Sequence, residues 1–531
     1  MSERLYLFDT TLRDGAQTPG LDFSVEDKVQ IAGMLDALGI DYVEGGYPGA
    51  NPTDDRFFGE KRTRKAIFTA FGMVKRAGIS LSNDPGLNAL LAAKADAICF
   101  VAKTWDYHVK VALGSTEEEN LEAISQSVQA AKAIGREVLL DCEHFFDGYK
   151  ANLQYALACA KAAYDAGARW VVLCDTNGGT LPEEVEAIVA EVAKTIPGGF
   201  LGIHAHDDTG QAVANSLAAV RAGARQIQGT LNGIGERCGN ANLTTVIPTL
   251  LLKPGYAERF ETGVTPDALK KLTAISHRFD DLVNRPPNRQ APYVGASAFT
   301  TKAGIHASAL VKDPKTYEHV PPEAVGNRRQ ILVSDQAGKS NLIAELARRG
   351  IEVDRNDKRL DTLLARVKER ESRGYAYESA DASFELLARR TLGEVPDYFD
   401  VIQFDVNVES RINAVGKRVT VSMAVVKVKV GDEVLISAAE GNGPVNALDG
   451  ALRRDLGVYS EAIADLELID YRVRILNGGT GAVTRVLIES RDSTGDSWFT
   501  VGVSENIVDA SFEALTDSIV FKLMKTGVRP A

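Results

Sequence analysis

The sequence predicts an α/β chain whose first half is a (β/α)8 TIM barrel, and three observations carry that reading. Strand and helix patterns alternate from residue 5 to about 245 with a spacing of roughly 25–40 residues. Most of the strand candidates are continuous apolar runs, as expected of parallel strands buried on both faces. Polar side chains gather just past the strand ends, which is where barrel chemistry sits.

The eight strands are expected at Leu5–Phe8, Tyr42–Glu44, Ile67–Met73, Ala97–Val101, Val138–Cys142, Trp170–Cys174, Leu201–Ala205 and Gln226–Thr230. Amphipathic helices fill the gaps. Ser24 followed by Asp27 opens one in the manner of a capping box, and Gly39 closes it. Thr116–Ile134 begins with Glu117, Glu118 and Glu119 and has Arg136 beyond its end, in keeping with the helix dipole. Pro182 suits the first turn of another helix. An open doubly wound sheet is the alternative, and the lack of a glycine-rich dinucleotide turn after the first strand speaks against it.

The barrel is expected to span 1–275, with a linker and helical subdomains over 276–397 and a regulatory, dimerising domain over 398–531. Val283–Phe299 is rich in Pro, Asn and Arg and reads as a linker, and Asn341–Arg373 reads as two short charged helices. The last part repeats itself. GDEVLISAAEGN at 431–442 aligns with GDSWFTVGVSEN at 495–506, an offset of about 64 residues, and each is followed by a helix. Two βββα units are therefore expected, with strands at Phe404–Glu409, Val419–Lys429, Glu433–Ala438, Tyr471–Leu476, Ala482–Ser490 and Ser497–Val503.

Composition narrows the function. Hydrophobic residues make up 45% and charged residues 25% of 531, a soluble globular profile, and the net charge of −12 argues against nucleic-acid binding. No apolar run reaches a membrane span and the N-terminus runs straight into a strand, so a cytoplasmic protein without membrane contact is expected. The five cysteines form no CxxC pair and read as reduced thiols.

The first strand runs into FDTTLRDGAQ, which crowds Arg13 against Asp9 and Asp14. Buried charges need partners, so a structural Arg–Asp pair is the plain reading. A second reading comes from GIHAHDD. His204 and His206 are two apart on a strand end and share a face. Closing the barrel puts the eighth strand between the seventh and the first, so Asn240 and Asp14 fall on one arc with the two imidazoles. Two ring nitrogens, a carboxylate and an amide oxygen suit Mn²⁺, Mg²⁺ or Zn²⁺. Octahedral coordination leaves two places, which a 2-oxo acid fills with its ketone and carboxylate oxygens. Such a metal acts as a Lewis acid, and Arg13 is placed to stabilise the developing alkoxide. Glu44, Lys103, His144, Asp175, Asn177, Asn232 and Glu236 fill out the rim, and Glu236 with Arg237 is read as support for Asn240.

FDTTLRDGAQTPG, GIHAHDDTG and NGIGERCGN resemble the motifs of the family of 2-isopropylmalate, homocitrate and citramalate synthases. AKTWDYHVKVAL, DCEHFFDGYKAN and VGNRRQILVSDQAGKSN resemble its citramalate branch in particular. The resemblance spans nearly the whole chain. It implies an acyltransferase that condenses acetyl-CoA with pyruvate, on the pyruvate route to isoleucine, and a homodimer with feedback by an amino acid, isoleucine. A 2-isopropylmalate synthase, or a lyase of the HMG-CoA type, is the alternative. The resemblance also assigns metal ligation to Asp14, His204, His206 and Asn240, oxyanion stabilisation to Arg13, and substrate carboxylate binding to Thr176. His306 is implied to reach the partner's site, accompanied by Tyr317. Glu143 is the candidate base for the thioester methyl. Thr301 stands where many relatives carry a histidine. Trp105 and Phe145 are expected to narrow the 2-oxo acid pocket.

Overall fold

The structure, a computed structural model, describes residues 2–283, 285–301, 306, 309–310, 312–331, 339–377, 380–476 and 482–531. Residues 332–338, within VGNRRQILVSDQAGKSN, therefore lie outside the described residues. Two compact units emerge: 1–299 with 318–329, and 300–317 with 330–531.

The first unit is a closed barrel of eight parallel strands: β1 Tyr6–Asp9, β2 Tyr42–Glu44, β3 Ile67–Met73, β4 Ala97–Lys103, β5 Glu137–Glu143, β6 Trp170–Asp175, β7 Leu201–Ala205 and β8 Gln226–Gly229. Closure comes from β1 lying on β8, with Phe8 opposite Gln228. The strands carry on past the last apolar residue, so Asp9, Lys103, Glu143 and Asp175 belong to the sheet.

The surrounding helices form where their end signals stand. Helix α1, Val25–Leu38, has the full Ser24–Asp27 capping box and ends at Gly39 with φ +97°. There a side chain's Cβ would lie within 2.4 Å of the Gly263 carbonyl oxygen, so glycine is required twice over. Helix α2, Glu117–Ala133, is capped reciprocally by Thr116 and Glu119. Helix α3, Pro182–Val192, starts on its proline. The expected linker is packed into this unit: Tyr293, Val294 and Phe299 are buried, and Asn327 donates to the carbonyls of Tyr293 and Gly295.

The second unit holds helices α4, Lys339–Arg348, α5, Arg359–Ser372, and α6, Asp381–Leu392. Two antiparallel sheets follow. The first has β9 Asp400–Ile412, β10 Arg418–Val430 and β11 Glu433–Gly441, then helix α7, Pro444–Asp455. The second has β12 Glu467–Ile475, β13 Thr484–Arg491 and β14 Ser497–Ser504, then helix α8, Ile507–Thr526. These are the two βββα units of the repeat.

Helix α6 lies before residue 398 in sequence, yet Ala382 and Leu386 share one core with Ala424, Leu448, Ile488 and Leu515. Its side chains also meet the outer strand of the second sheet. Phe499 N–H donates to Asp381 at 2.8 Å and Val501 N–H to Ser383 Oγ at 3.0 Å, while Val503 N–H donates to Glu513 at 3.1 Å.

Candidate active site

Asp14, His204 and His206 meet at the C-terminal mouth of the barrel. Their ligand-capable atoms lie within 4.8 Å of one another, all three residues buried. His204 Nε2 is 3.5 Å and His206 Nε2 3.9 Å from Asp14 Oδ2. Asn240 closes the arc, with Nδ2 donating to Asp14 Oδ1 at 3.2 Å and to the Ile234 carbonyl at 3.1 Å. Its Oδ1 is buried and has no hydrogen-bond partner among the described residues. A buried, unpartnered acceptor costs free energy, and a cation at this point would remove that cost. The donor set of two imidazoles, a carboxylate and an amide oxygen therefore fits a divalent metal.

The electrostatics agree with ligation by deprotonated groups. Burial alone would raise Asp14, but the Arg13 guanidinium, His204 and His206 outweigh it and hold the carboxyl at about 2. Burial, with His204 alongside, pushes His206 down to about 4, so the ring is neutral at physiological pH. Arg237 Nη2 lies 2.9 Å from His206 Nδ1. A guanidinium only donates, so in this arrangement His206 Nδ1 accepts and the ring's proton sits on Nε2; coordination through Nε2 requires that proton on Nδ1 instead. Arg237 must then rest on its other partners, the Asp208 carboxylate at 2.8 and 3.0 Å and the Thr176 carbonyl at 2.7 Å. The expected pair with Glu236 forms at 3.3 Å, while shorter bonds anchor Arg237 on Asp208 and Thr176.

Arg13 is held from four sides. It reaches Glu44 through Nε at 2.8 Å, Asp14 through Nη1 at 2.9 Å and Asp141 through Nη2 at 4.0 Å, and its guanidinium lies 3.8 Å from the Phe71 ring centroid. One cation serves three buried carboxylates. Thr10 Oγ1 donates to the same Glu44 oxygen at 2.5 Å.

Around the rim, Glu143 ends β5 in an ion pair with Lys103 Nζ at 2.6 Å. Thr176 Oγ1 accepts from the His144 N–H at 2.8 Å, which leaves its own proton free to donate. His144 itself takes the left-handed conformation, φ +55°, uncommon for a side chain with a Cβ. It packs edge-on against His108, ring centroids 4.3 Å apart, with Trp105 against both.

Three rim residues turn away from this chemistry. Asp175 accepts from Thr180, Asn177 donates to Asp147, and Asn232 bonds Ser276 and Asp280. Phe145 is a correction: it is fully buried against Phe146 and Tyr149, because the helix it opens turns it into the core and not toward the mouth. His306 and Tyr317 belong to the other unit, where both are exposed and their rings lie 4.3 Å apart.

Sequence reasoning passed over Asp141 and Gln228. Asp141 is an acid inside an apolar strand, and it shares a face with Glu143 two residues on. That parity was the available signal.

Residues 4–276, the stretch that forms the barrel, match the HMGL-like family model. Residues 293–374 match the homocitrate synthase post-HMGL domain-like model, and 378–523 the LeuA allosteric (dimerisation) domain. The chain is 49% identical to an (R)-citramalate synthase of Aquifex aeolicus, over 99% of each chain, and 49% identical to one of Geobacter sulfurreducens, over 98% of each. It is 47% identical to the (R)-citramalate synthase of Streptomyces coelicolor, over 100% of this chain and 99% of that one. The chain belongs to the citramalate synthase family.

Proposed function

We propose that this chain condenses acetyl-CoA with pyruvate to give (R)-citramalate and free CoA. The observation that carries the reading is the arc of Asp14, His204, His206 and Asn240 with Arg13 beside it, in a chain related to (R)-citramalate synthases from end to end.

When bound, a divalent metal in this arc would supply Lewis-acid polarisation of the pyruvate ketone. Asp14, His204, His206 and Asn240 would hold it, and we assign it to Mn²⁺, Mg²⁺ or Zn²⁺. Thr176 Oγ donates to the pyruvate carboxylate. Glu143, held by its ion pair with Lys103, takes a proton from the acetyl methyl, and the resulting carbanion attacks the ketone carbon. Arg13, fixed by Glu44 and Asp141, faces the developing alkoxide without having to reorganise. The alkoxide gains a proton from solvent, Glu143 returns its proton to solvent, and water then cleaves the thioester so that CoA leaves as the free thiol.

In this reading the second unit joins two copies of the chain and carries an amino-acid effector site, for isoleucine. His306, with Tyr317, serves the active site of the partner copy. In this reading the enzyme works in the cytoplasm. No helix among the described residues is long and apolar enough to cross a membrane.

The test is CoA release from acetyl-CoA with pyruvate, 2-oxobutyrate, 2-oxoisovalerate or 2-oxoglutarate, with Mn²⁺ or Mg²⁺ present. Preference for pyruvate is expected. Preference for 2-oxoisovalerate would make the chain a 2-isopropylmalate synthase, and cleavage of 3-hydroxy-3-methylglutaryl-CoA without condensation would make it a lyase.

A further inference from the structure

The groups behind the metal-ligating face form a closed ring. His204 Nδ1 lies 2.8 Å from Gln228 Oε1, and Gln228 Nε2 donates to Asp141 Oδ1 at 2.9 Å. Asp141 Oδ2 faces Arg13 Nη2 at 4.0 Å, Arg13 Nη1 donates to Asp14 Oδ2 at 2.9 Å, and that same oxygen is 3.5 Å from His204 Nε2. Gln228 is fully buried, and His204, Asp14 and Asp141 are nearly so.

The ring has a direction. The Arg13 guanidinium forms an ion pair with Asp141 at 4.0 Å, which favours the ionised carboxylate, and an ionised carboxylate only accepts. The other Asp141 oxygen accepts from an amide N–H, so Gln228 must turn its NH2 toward Asp141. Its carbonyl oxygen is then the atom facing His204, and a carbonyl can only accept. His204 must carry its proton on Nδ1, which leaves the Nε2 lone pair facing Asp14.

We infer that Gln228, oriented by Asp141 and Arg13, is a positioning residue that fixes the tautomer of His204 so that Nε2 is free to bind the metal. The inference rests on the metal reading proposed above. If Gln228 did not hold Nδ1, His204 would be free to protonate Nε2 and donate to Asp14. One proton would then occupy two ligand atoms at once. Outer partners that set ligand tautomers typically change metal affinity about 10–100-fold when removed.

The experiment uses the full-length chain and Mn²⁺ or Zn²⁺ alone, with affinity read by competition against a chromophoric chelator and folding by circular dichroism. Gln228→Met keeps the side-chain length and removes both polar atoms. It is expected to weaken metal binding about 10–100-fold in a folded protein. D141N allows the Gln228 amide to flip and is expected to weaken binding as well. The double variant Q228E/D141N presents acceptors to His204 and a donor at 141, so it restores the direction of the ring. It is expected to regain affinity to within about threefold of the original chain. Unchanged affinity in Q228M, or no recovery in the double variant, overturns the inference. Failure of the unmodified chain to bind metal overturns the metal reading instead. A measurement on the unmodified, metal-free chain stands apart from both: long-range ¹H–¹⁵N correlation of the His204 ring, assigned by its loss in H204N. A proton on Nδ1 is expected, and a proton on Nε2 overturns the inference even if every variant misfolds.

Discussion

Asn240 donates to Asp14 across 226 residues of sequence, at 3.2 Å, while its own carbonyl oxygen stays buried and, among the described residues, unpartnered. One amide thus ties the loop after the last barrel strand to the loop after the first, and still holds an acceptor in reserve.

Ligand loss at this point is expected to separate activity from folding. His204→Ala should lower kcat by about 10³-fold or more, as removal of a metal site does. Stability in thermal unfolding should fall only modestly, by the about 1–3 kcal/mol that an unpaired, buried Gln228 carbonyl costs, and the protein should still fold. Chelation of the unmodified chain should likewise end CoA release, and added Mn²⁺ should restore it. Full activity in His204→Ala would remove the metal mechanism.

Arg13 neutralises three acids, so its loss is expected to cost stability and chemistry together. Removing one partner of a buried charge pair typically costs about 3–5 kcal/mol, and Arg13→Gln should fall in that range by urea unfolding. Adding Glu44→Gln removes the most deeply buried of the stranded carboxylates and should return part of the stability. Turnover should stay lost, since no cation faces the alkoxide.

Asp9 gives a pH signature in stability. It is fully buried beside Thr11 with Glu44 nearby, and burial pushes its carboxyl up to about 7. An acid whose folded pKa lies above its unfolded value, about 3.9, binds more protons when folded between those two pH values. Its contribution is intact below about pH 4 and is lost as pH rises toward 7. Asp9→Asn should therefore flatten the decline in unfolding free energy over that window. Parallel curves for the two proteins would refute the assignment.

Leu386 tests where the second unit begins. Its side chain is fully buried in the core shared with Leu448 and Leu515. Leu386→Ala should cost that unit about 2–5 kcal/mol, read as a lower melting transition. A chain beginning at 398 should melt below one beginning at 330, since only the longer one keeps α6.

The sequence made the barrel readable because most strands are separate apolar runs and closure is a topological rule. Its strand ends were read short, since Asp9, Glu143 and Asp175 are polar residues that continue the sheet into the mouth. Asp14, His204, His206 and Asn240 could be brought together from strand parity and closure alone. Gln228 could not, because Gln226 shares its face two residues earlier and nothing in a four-residue strand separates the two amides. Helix α6 escaped for a related reason. Its partners, Phe499, Val501 and Asp517, lie more than a hundred residues away, and nothing local announces them.

The amides of Phe499, Val501 and Val503 point outward from β14, the border strand of its sheet, and each is already bonded to a side chain. Border strands with unspent amides recruit further strands, which is how sheets extend into aggregates. Here the donors on one side are occupied before any visitor arrives. The second sheet is thus closed to growth at β14, and a strand from another chain could join it only along β12.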